Sequence, residues 1–450
     1  MAGISFLAEI GKQGMLLSQF ALQIAGKNIS NVNTRGYSRQ RVDVSPILPE
    51  LLAGFSLGSA INGDTLRRIR EDFVDRQFWT QNSLYSQYET EDSLMRQIEG
   101  VLPSSNEAGL GTMLDEFWIA WNELANDPES SVSRTIVRDK AQTLTLSFNR
   151  VYKEYVSVKS MISSDIQVRV TEINQLASQI AELNKSGLGD NPDVNDQRDR
   201  LVERLSDLTN VEMQRDGDTV TVYIAGLQLV SGTNAYEIAL EETPGGAGGI
   251  TTIIGGTAQQ IQITSGELGG LLGVYNNDIP DLLARLDTLA VTIADEVNAI
   301  HKTGYNLAGV TGLNFFADTT EGAASMAVDS AIIDDVDLIA TGDVSGEPGN
   351  GNTASAIADL MDNKVIGNQT IGEYYRGLVG TMGNRVQEIG FLKNNQQKIV
   401  EHLQMQQHSV SGVSMEEEMI TMVQLEQAFT AASRLVSIAD ELVRTVLNLI

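Results

Sequence analysis

Along the first thirty positions, apolar residues recur at steps of three and four. Leu7, Ile10, Gly14, Leu17, Ala21 and Ile24 form a heptad seam, which predicts a helix from about Ile4 to Asn31. Asn28 and Asn31 carry the seam on with amides. They either fix register in a coiled coil or cap an ordinary helix, and Gly36 supplies the permissive turn beyond. The far end repeats the pattern. Met422, Leu425, Phe429, Ala432, Val436, Ala439, Val443, Val446 and Ile450 make an unbroken seam, and Leu435, Ile438, Leu442 and Leu449 form a second stripe beside it. Two stripes need more neighbours than one antiparallel helix supplies. Burying a large aliphatic is worth about 1.5–3 kcal/mol, so this helix is expected to oligomerise or to stay disordered until it does.

Between the ends, Pro46, Pro49, Gly54, Gly58 and Gly63 mark a linker or extended arm. Helical periodicity runs from Leu66 to about Leu208, broken at 102–105 and at 126–129, where Pro128 suits the first turn of a new helix. Phe117, Trp118, Trp121 and Leu124 give a large apolar face, read as core. A long helix is predicted from about Thr135 to Lys185, with a four-residue stutter at Ile162 that keeps the seam facing its partner. Pro192 opens a shorter helix. From Val211 to Thr264 the period falls to two (Val220, Val222, Ile224; Tyr236, Ile238, Leu240; Ile261, Ile263), with turn signals at Asp216-Gly217, Ser231-Gly232 and 245–249. Helix returns from about Leu271 to His301, and 303–352 is Gly- and Asp-rich with few clear elements. Thr370-Ile371-Gly372-Glu373 has the form of a capping box opening a helix to about Gln407; Ser411-Gly412 breaks it, and Ser414 with Glu417 forms a second box opening the last helix.

The expected fold is therefore mainly α with a small β insertion. Terminal helices pair as a coiled coil from 1–65 and 411–450, a helical bundle is built from 66–208 and 266–410 with an insertion at 303–352, and an antiparallel β subdomain spans 209–265.

Composition removes several kinds of chemistry. The 450 residues carry a net charge of −28, which disfavours phosphate backbones and anionic membrane surfaces, so neither nucleic acid nor membrane is an expected partner. There is no cysteine, hence no disulfide, thiolate metal site or thiol nucleophile. No window is apolar enough to span a bilayer, and Met1 to Leu22 lacks the cationic start and cleavage site of a Sec signal. The histidines, His301, His402 and His408, have no HExxH spacing and read as solvated or helix-end residues. Glu416, Glu417 and Glu418 read as acids at a helix N-terminus, where the macrodipole favours them. The 245–249 run lacks a phosphate-loop pattern, Asp334, Asp335 and Asp337 lack the remainder of a calcium loop, and no serine sits in GxSxG. The Asn28-Ile29-Ser30 sequon lies on a predicted helix seam and is discounted. No catalytic residue, metal site or cofactor is expected.

One segment carries a specific resemblance. The run from Ala25 to Gln40, with Asn28, Asn31, Asn33, Thr34, Gly36, Tyr37, Ser38, Arg39 and Gln40, closely resembles the N-terminal signature of bacterial flagellar axial proteins. Ser38-Arg39-Gln40 points within that group to members joining hook and filament. Ser411, Gly412, Val413, Glu417 and Glu418, the terminal Ala439-Asp440-Glu441-Leu442, and the internal runs 194–199, 266–272 and 314–316 are similar to the same family in the same order. Arg35 stands where the family often has proline, and Ser30 where it often has alanine. Longer members carry a further β domain after the 315–316 position, which the short interval here implies is reduced or missing.

The resemblance implies a flagellin-like axial architecture, with an inner coiled coil lining a channel, a bundle around it and a β unit outermost. It also implies a secreted structural component exported by the flagellar type III route. Expected partners are further copies in a ring or tube, the hook protein, hook-associated protein 3, and an export chaperone at the C-terminal helix. Other axial proteins (hook-associated protein 3, flagellin, a rod or hook component) share the helical ends, and a cytoplasmic coiled-coil scaffold is the reading from outside the family.

Overall fold

In a computed structural model, residues 2–43, 66–102, 109–186, 191–217, 219–242, 248–254, 257–318 and 322–447 are described. The linker prolines and glycines and the last seam position, Ile450, lie outside them. Helix α1 (Ala2–Ser30) packs along the terminal helix α11 (Met415–Leu447). The pair is antiparallel: a Cβ at Gly11 would stand 2.7 Å from Val436 Cγ2, Gly14 faces Ala432, and Asn28 reaches Glu418. The side chains that meet are small. Gly11, Ser18 and Ala25 on α1 are buried, as are Ala432 and Ala439 on α11.

Of the predicted seam, Ile24 is buried, and Leu7, Leu17, Ala21, Met422, Leu425, Val436 and Val446 are half-buried. Ile10, Phe429 and Val443 face outward, at 44, 36 and 38 % exposure. One partner helix covers one stripe, and the small residues take it because they allow the closest approach. Asn31 leaves the seam altogether: α1 ends at Ser30, and the Asn31 amide donates to the Lys27 carbonyl at 2.9 Å, so it closes the helix end.

Between the ends lies the bundle: α2 (Asp72–Glu99), α3 (Leu110–Asn126), α4 (Ser131–Lys185), α5 (Pro192–Leu208), α6 (Gly266–Gly273), α7 (Ile279–His301), the short α8 (Ser330–Asp334) and α9 (Asn352–Ala358), and α10 (Ile371–Ser411). Helix α4 keeps one face buried through Val151, Tyr155, Val158, Ile162, Ile166, Val170 and Ile173, so the stutter holds the seam inward. Ser130 caps α4, and Pro128 lies in the preceding turn instead of in the helix. Pro192 does occupy the first turn of α5, and Thr370 with Glu373 completes its capping box at α10. Only one long contact of the second box forms, Glu417 N to Ser414 Oγ at 3.5 Å. Helix α6 starts at Gly266, earlier than predicted, and a π-turn over Val274–Asp278 joins it to α7. Gly266 is required there: its φ is +79°, and a Cβ would lie 2.3 Å from the Thr209 nitrogen.

The strands are β1 (Gln40–Val42), β2 (Leu66–Arg68), β3 (Val211–Asp216), β4 (Thr219–Ile224), β5 (Leu227–Ser231), β6 (Asn234–Ala235), β7 (Ile238–Glu242), β8 (Gly248–Ile254) and β9 (Thr257–Ile261). They form an antiparallel ribbon β1-β2 and two antiparallel sheets, β3-β4-β5-β6 and β7-β8-β9. The ribbon was not predicted, because three residues are too few to show a period, and Leu66 begins a strand instead of a helix. Gly248 and Gly249 are strand residues, not turn. The tight turn at Ala225-Gly226, both with positive φ, went unread. The sheets flank α4: the Asn174 amide bonds Ile238 through both its N–H and C=O, and the Asn184 amide bonds Val220 likewise. Their apolar faces share one core with the bundle.

The 303–352 insertion holds no named strand among the described residues, yet it is firmly anchored. Phe315 and Phe316 are fully buried against Phe117 and Trp121, with the Phe315 and Trp121 rings 5.0 Å apart. Asn298 accepts from both Phe315 and Phe316 amides. Arg134, fully buried, donates to the carbonyls of Pro128 and Ile339 and to Thr341 Oγ1. His301 is a helix-end residue, as read, and it is buried instead of solvated. It ends α7, but the insertion folds over it.

Candidate functional site: a polar joint between the chain ends and the bundle

Three of the runs singled out in the sequence, 28–40, 194–199 and 411–418, converge where the terminal helix pair meets the bundle. Helix α1 stops because Asn31 and Gly36 (φ +74°) turn the chain, and residues 37–42 run back along it. The Asn28 side chain, 1 % exposed, spans that reversal. Its Oδ1 accepts from the Gln40 amide at 3.0 Å and the Tyr37 hydroxyl at 2.8 Å. Its Nδ2 donates to the Gln40 carbonyl at 2.9 Å and to Glu418 Oε2 at 3.1 Å. All four hydrogen-bonding positions of one amide are thereby used, and they join both ends of the chain.

Arg39 completes the clasp. Its guanidinium pairs with Glu417 at 2.8 Å and Glu418 at 2.7 Å, while its amide donates to the Ser411 carbonyl at 2.9 Å. The acids at the start of α11 thus have a task beyond complementing a helix dipole. The elbow joining α10 to α11 depends on Gly412, where a Cβ would stand 2.2 Å from the His408 carbonyl oxygen. Val413 is buried beneath it, and Ser414 is exposed.

The third run anchors this clasp to the bundle. Asp193 holds Lys27 at 2.7 Å and Gln40 Nε2 at 3.0 Å. Asp196 accepts from the Ser38 amide at 3.1 Å and pairs with Arg68 at 2.9 Å. Asp199, with no exposed side-chain surface, is ringed by Arg68 at 2.7 Å, Arg215 at 2.6 Å and Arg70 at 3.2 Å. Burial opposes the Asp199 charge, but Arg70, Arg215 and Arg68 outweigh it and hold the carboxyl below its ordinary range. Burial likewise opposes the Arg70 charge, and Asp199 and Asp75 reverse that effect and raise its pKa. Asp193 is held low against burial by Lys27 and Gln40. Burial, then Asp193, Asp196 and Glu418, push the Tyr37 hydroxyl up, so it stays a neutral donor to Asn28.

Thr34 closes on Asn31 Oδ1 at 3.2 Å, and exposed Arg35 pairs with Glu203 at 2.9 Å, so an arginine here keeps the turn. Asn33 is exposed. Beside the joint, a cleft of about 480 Å³ is lined by Asn33, Tyr37, Arg70, Phe78, Gln407 and His408. Sequence reasoning missed Arg68, Arg70, Asp75 and Arg215; an unusual density of arginines at 67–70 signals the first two, and nothing local signals Asp75 or Arg215. Among the described residues, no group of three His, Asp or Glu side chains is placed to hold a metal ion, and no helix is long and apolar enough to cross a membrane.

What this arrangement can do is mechanical: it ties two long end helices, with one apolar face uncovered, to a rigid bundle. Comparison with known proteins gives the same class. Residues 95–316 match the flagellar hook-associated protein FlgK helical domain, and residues 406–449 match the flagellar basal body rod FlgEFG protein C-terminal region. These define a structural component of the bacterial flagellum, an axial protein.

More specifically, the chain is similar to proteins named flagellar hook-associated protein 1. It is 29 % identical to the Bacillus subtilis flagellar hook-associated protein 1, over 98 % of this chain and 97 % of that one. It is 28 % identical to the Escherichia coli protein of that name, over 75 % of this chain and 66 % of that one. Against the Salmonella typhimurium protein the figures are 29 %, 70 % and 60 %, so the alignments to both enteric proteins span less than two thirds of their length. The structure of the flagellar hook junction protein FlgK from Burkholderia pseudomallei superimposes with a TM-score of 0.69 at 17 % identity, covering 75 % of this chain and all of that one.

Proposed function

We propose that this chain self-assembles at the distal end of the bacterial hook as the junction between hook and filament. The observation that carries the reading is the clasped antiparallel pair α1–α11, whose outer face stays uncovered. Met419, Ile420, Val423, Ile438, Leu442 and Leu447 are between 43 and 62 % exposed on α11, and Ile10 and Leu16 are exposed on α1. Exposing this much apolar surface on one copy is unfavourable, and packing further copies around a common axis covers it with the same two helices repeated. The subunits would form a ring or tube, with hook protein on one side and hook-associated protein 3 on the other. Before assembly an export chaperone would cover α11. Export by the flagellar type III route places the chain outside the cell.

Electron microscopy of cells lacking only this gene tests the proposal. Normal hooks without filaments, with flagellin in the medium, are expected. Missing hooks would move the protein to the rod or hook, and intact filaments would overturn the junction role.

A further inference from the structure

The ribbon β1-β2 pairs Gln40 with Arg68, Arg41 with Arg67 and Val42 with Leu66. Gln40 and Arg68 turn inward to the joint, so Arg41 and Arg67 stand directly opposite one another on the outward face. Like charges at facing positions of a sheet repel. Arg67, 74 % exposed at its side chain, leans on the half-exposed Asp43 at 3.2 Å, and Arg41 is exposed with no ion pair among the described residues. Two exposed guanidiniums held side by side form a receptor for paired carboxylates.

The same chain carries such a group at its other end. Residues 303–370 contain ten Asp and Glu against one base, Lys364, about a third of the net charge of −28. Asp334, Asp335 and Asp337 are all exposed. Arg134 ties this segment to the first turns of α4, and Leu360 lies just before the start of α10. The ribbon instead adjoins the last residue of α10, where the Ser411 carbonyl accepts from Arg39. The 41 residues of α10 separate the two by about 60 Å. They cannot meet within one copy. A contact joining different surfaces of successive copies propagates into a ring or a helical array.

We infer that the Arg41–Arg67 face of the ribbon receives the acidic Asp334–Asp335 turn of a second copy, as the charge contact that sets axial register between subunits. The inference rests on the self-assembly proposed above. Its test uses full-length chains returned to cells lacking the gene: the parent, Arg41→Glu/Arg67→Glu, Asp334→Arg/Asp335→Arg, and all four changes in one chain. Each pair alone is expected to cut filament number roughly tenfold or more, through like-charge contacts. The fourfold variant, with both partners reversed, is expected to restore it to within about twofold of the parent. Melting of each purified chain and its appearance in the medium separate assembly from folding and export. A pair that fails either check is replaced by Arg41→Gln/Arg67→Gln or Asp334→Asn/Asp335→Asn, scored by whether salt still weakens self-association of the purified chain, as it should for the parent only.

Silent pairs, or a loss that the fourfold variant does not repair, overturn the inference. A loss confined to the arginine pair also overturns it, since the ribbon would then serve a partner other than a second copy. If the parent restores filaments while the swaps are silent, the junction role stands and only this contact falls. If the parent restores none, both fall.

Discussion

His301 makes acid stability a quantitative test of the packing around the insertion. Its Nδ1 lies 2.8 Å from the Leu313 carbonyl, and its Nε2 accepts from the Ala340 amide at 2.9 Å. An acceptor at Nε2 and a donor at Nδ1 together define a neutral ring. Burial drives its pKa down from 6.5 to about 4. The sign follows. The unfolded chain takes up the proton as pH falls through 6.5, whereas the folded chain resists it until about 4. The contribution to stability is therefore complete above pH 6.5 and is lost progressively down to 4. The gap is worth about 3 kcal/mol at pH 4 and about 2 kcal/mol at pH 5.

Carboxylates also titrate in that window, so the control is His301→Gln, whose amide offers one donor and one acceptor and does not titrate. Urea unfolding of the two chains at pH 7.5, 5 and 4 should show the parent losing about 3 kcal/mol more than His301→Gln across the range. Parallel losses, within about 0.5 kcal/mol, would refute the reasoning, for they would mean that the imidazole is protonated or hydrated in the folded state.

Other consequences are as direct. Asn28→Asp turns a donor to Glu418 and to the Gln40 carbonyl into a buried like charge. It should cost about 3 kcal/mol at the joint, read as faster hydrogen exchange of the Gln40 amide, and Glu418→Gln in the same chain should recover much of it. Arg134→Met leaves the carbonyls of Pro128 and Ile339 and the Thr341 hydroxyl without their donor; a loss of roughly 3 kcal/mol in urea unfolding is expected, with proteolysis appearing first at 336–349. Gly412→Ala pushes a methyl onto the His408 carbonyl, which belongs to the backbone and cannot swing aside. The elbow must open, so filament formation should fall while the bundle's melting temperature changes by no more than a few degrees.

Much of the architecture was legible because its signals are local. The Thr370–Glu373 box, Pro192 at the start of α5, the stutter at Ile162 and the period-two run at 211–264 each depend on residues within a few positions of one another; the first three formed as read, and the fourth formed as antiparallel strands, though with Tyr236 and Ile263 outside them and Gly248 and Gly249 within one. The short ribbon and the turn at Ala225-Gly226 were not legible, since three residues carry no period and a non-glycine at positive φ gives no compositional warning. The outward turn of Ile10, Phe429 and Val443 was also hidden. A heptad states which residues share a face, but the choice among apolar faces fell to backbone proximity, which Gly11, Gly14 and Ala432 allow.

The joint divides the two kinds of information most clearly. The sequence by itself determined that an Asn-rich turn follows one long helix, that an acidic start precedes another, and that both ends carry more apolar surface than one chain covers. Only the tertiary structure decided that Asn28 bonds Glu418, 390 positions away, that Arg39 bridges Glu417 and Glu418, and that Asp199 gathers Arg68 and Arg70, at and just after the end of β2, together with Arg215 of β3. An amide or a carboxylate has the same hydrogen-bonding capacity anywhere in the chain. Its partners are set by which elements the core brings together, and the cost of leaving such a group buried and unpaired then holds that arrangement in place.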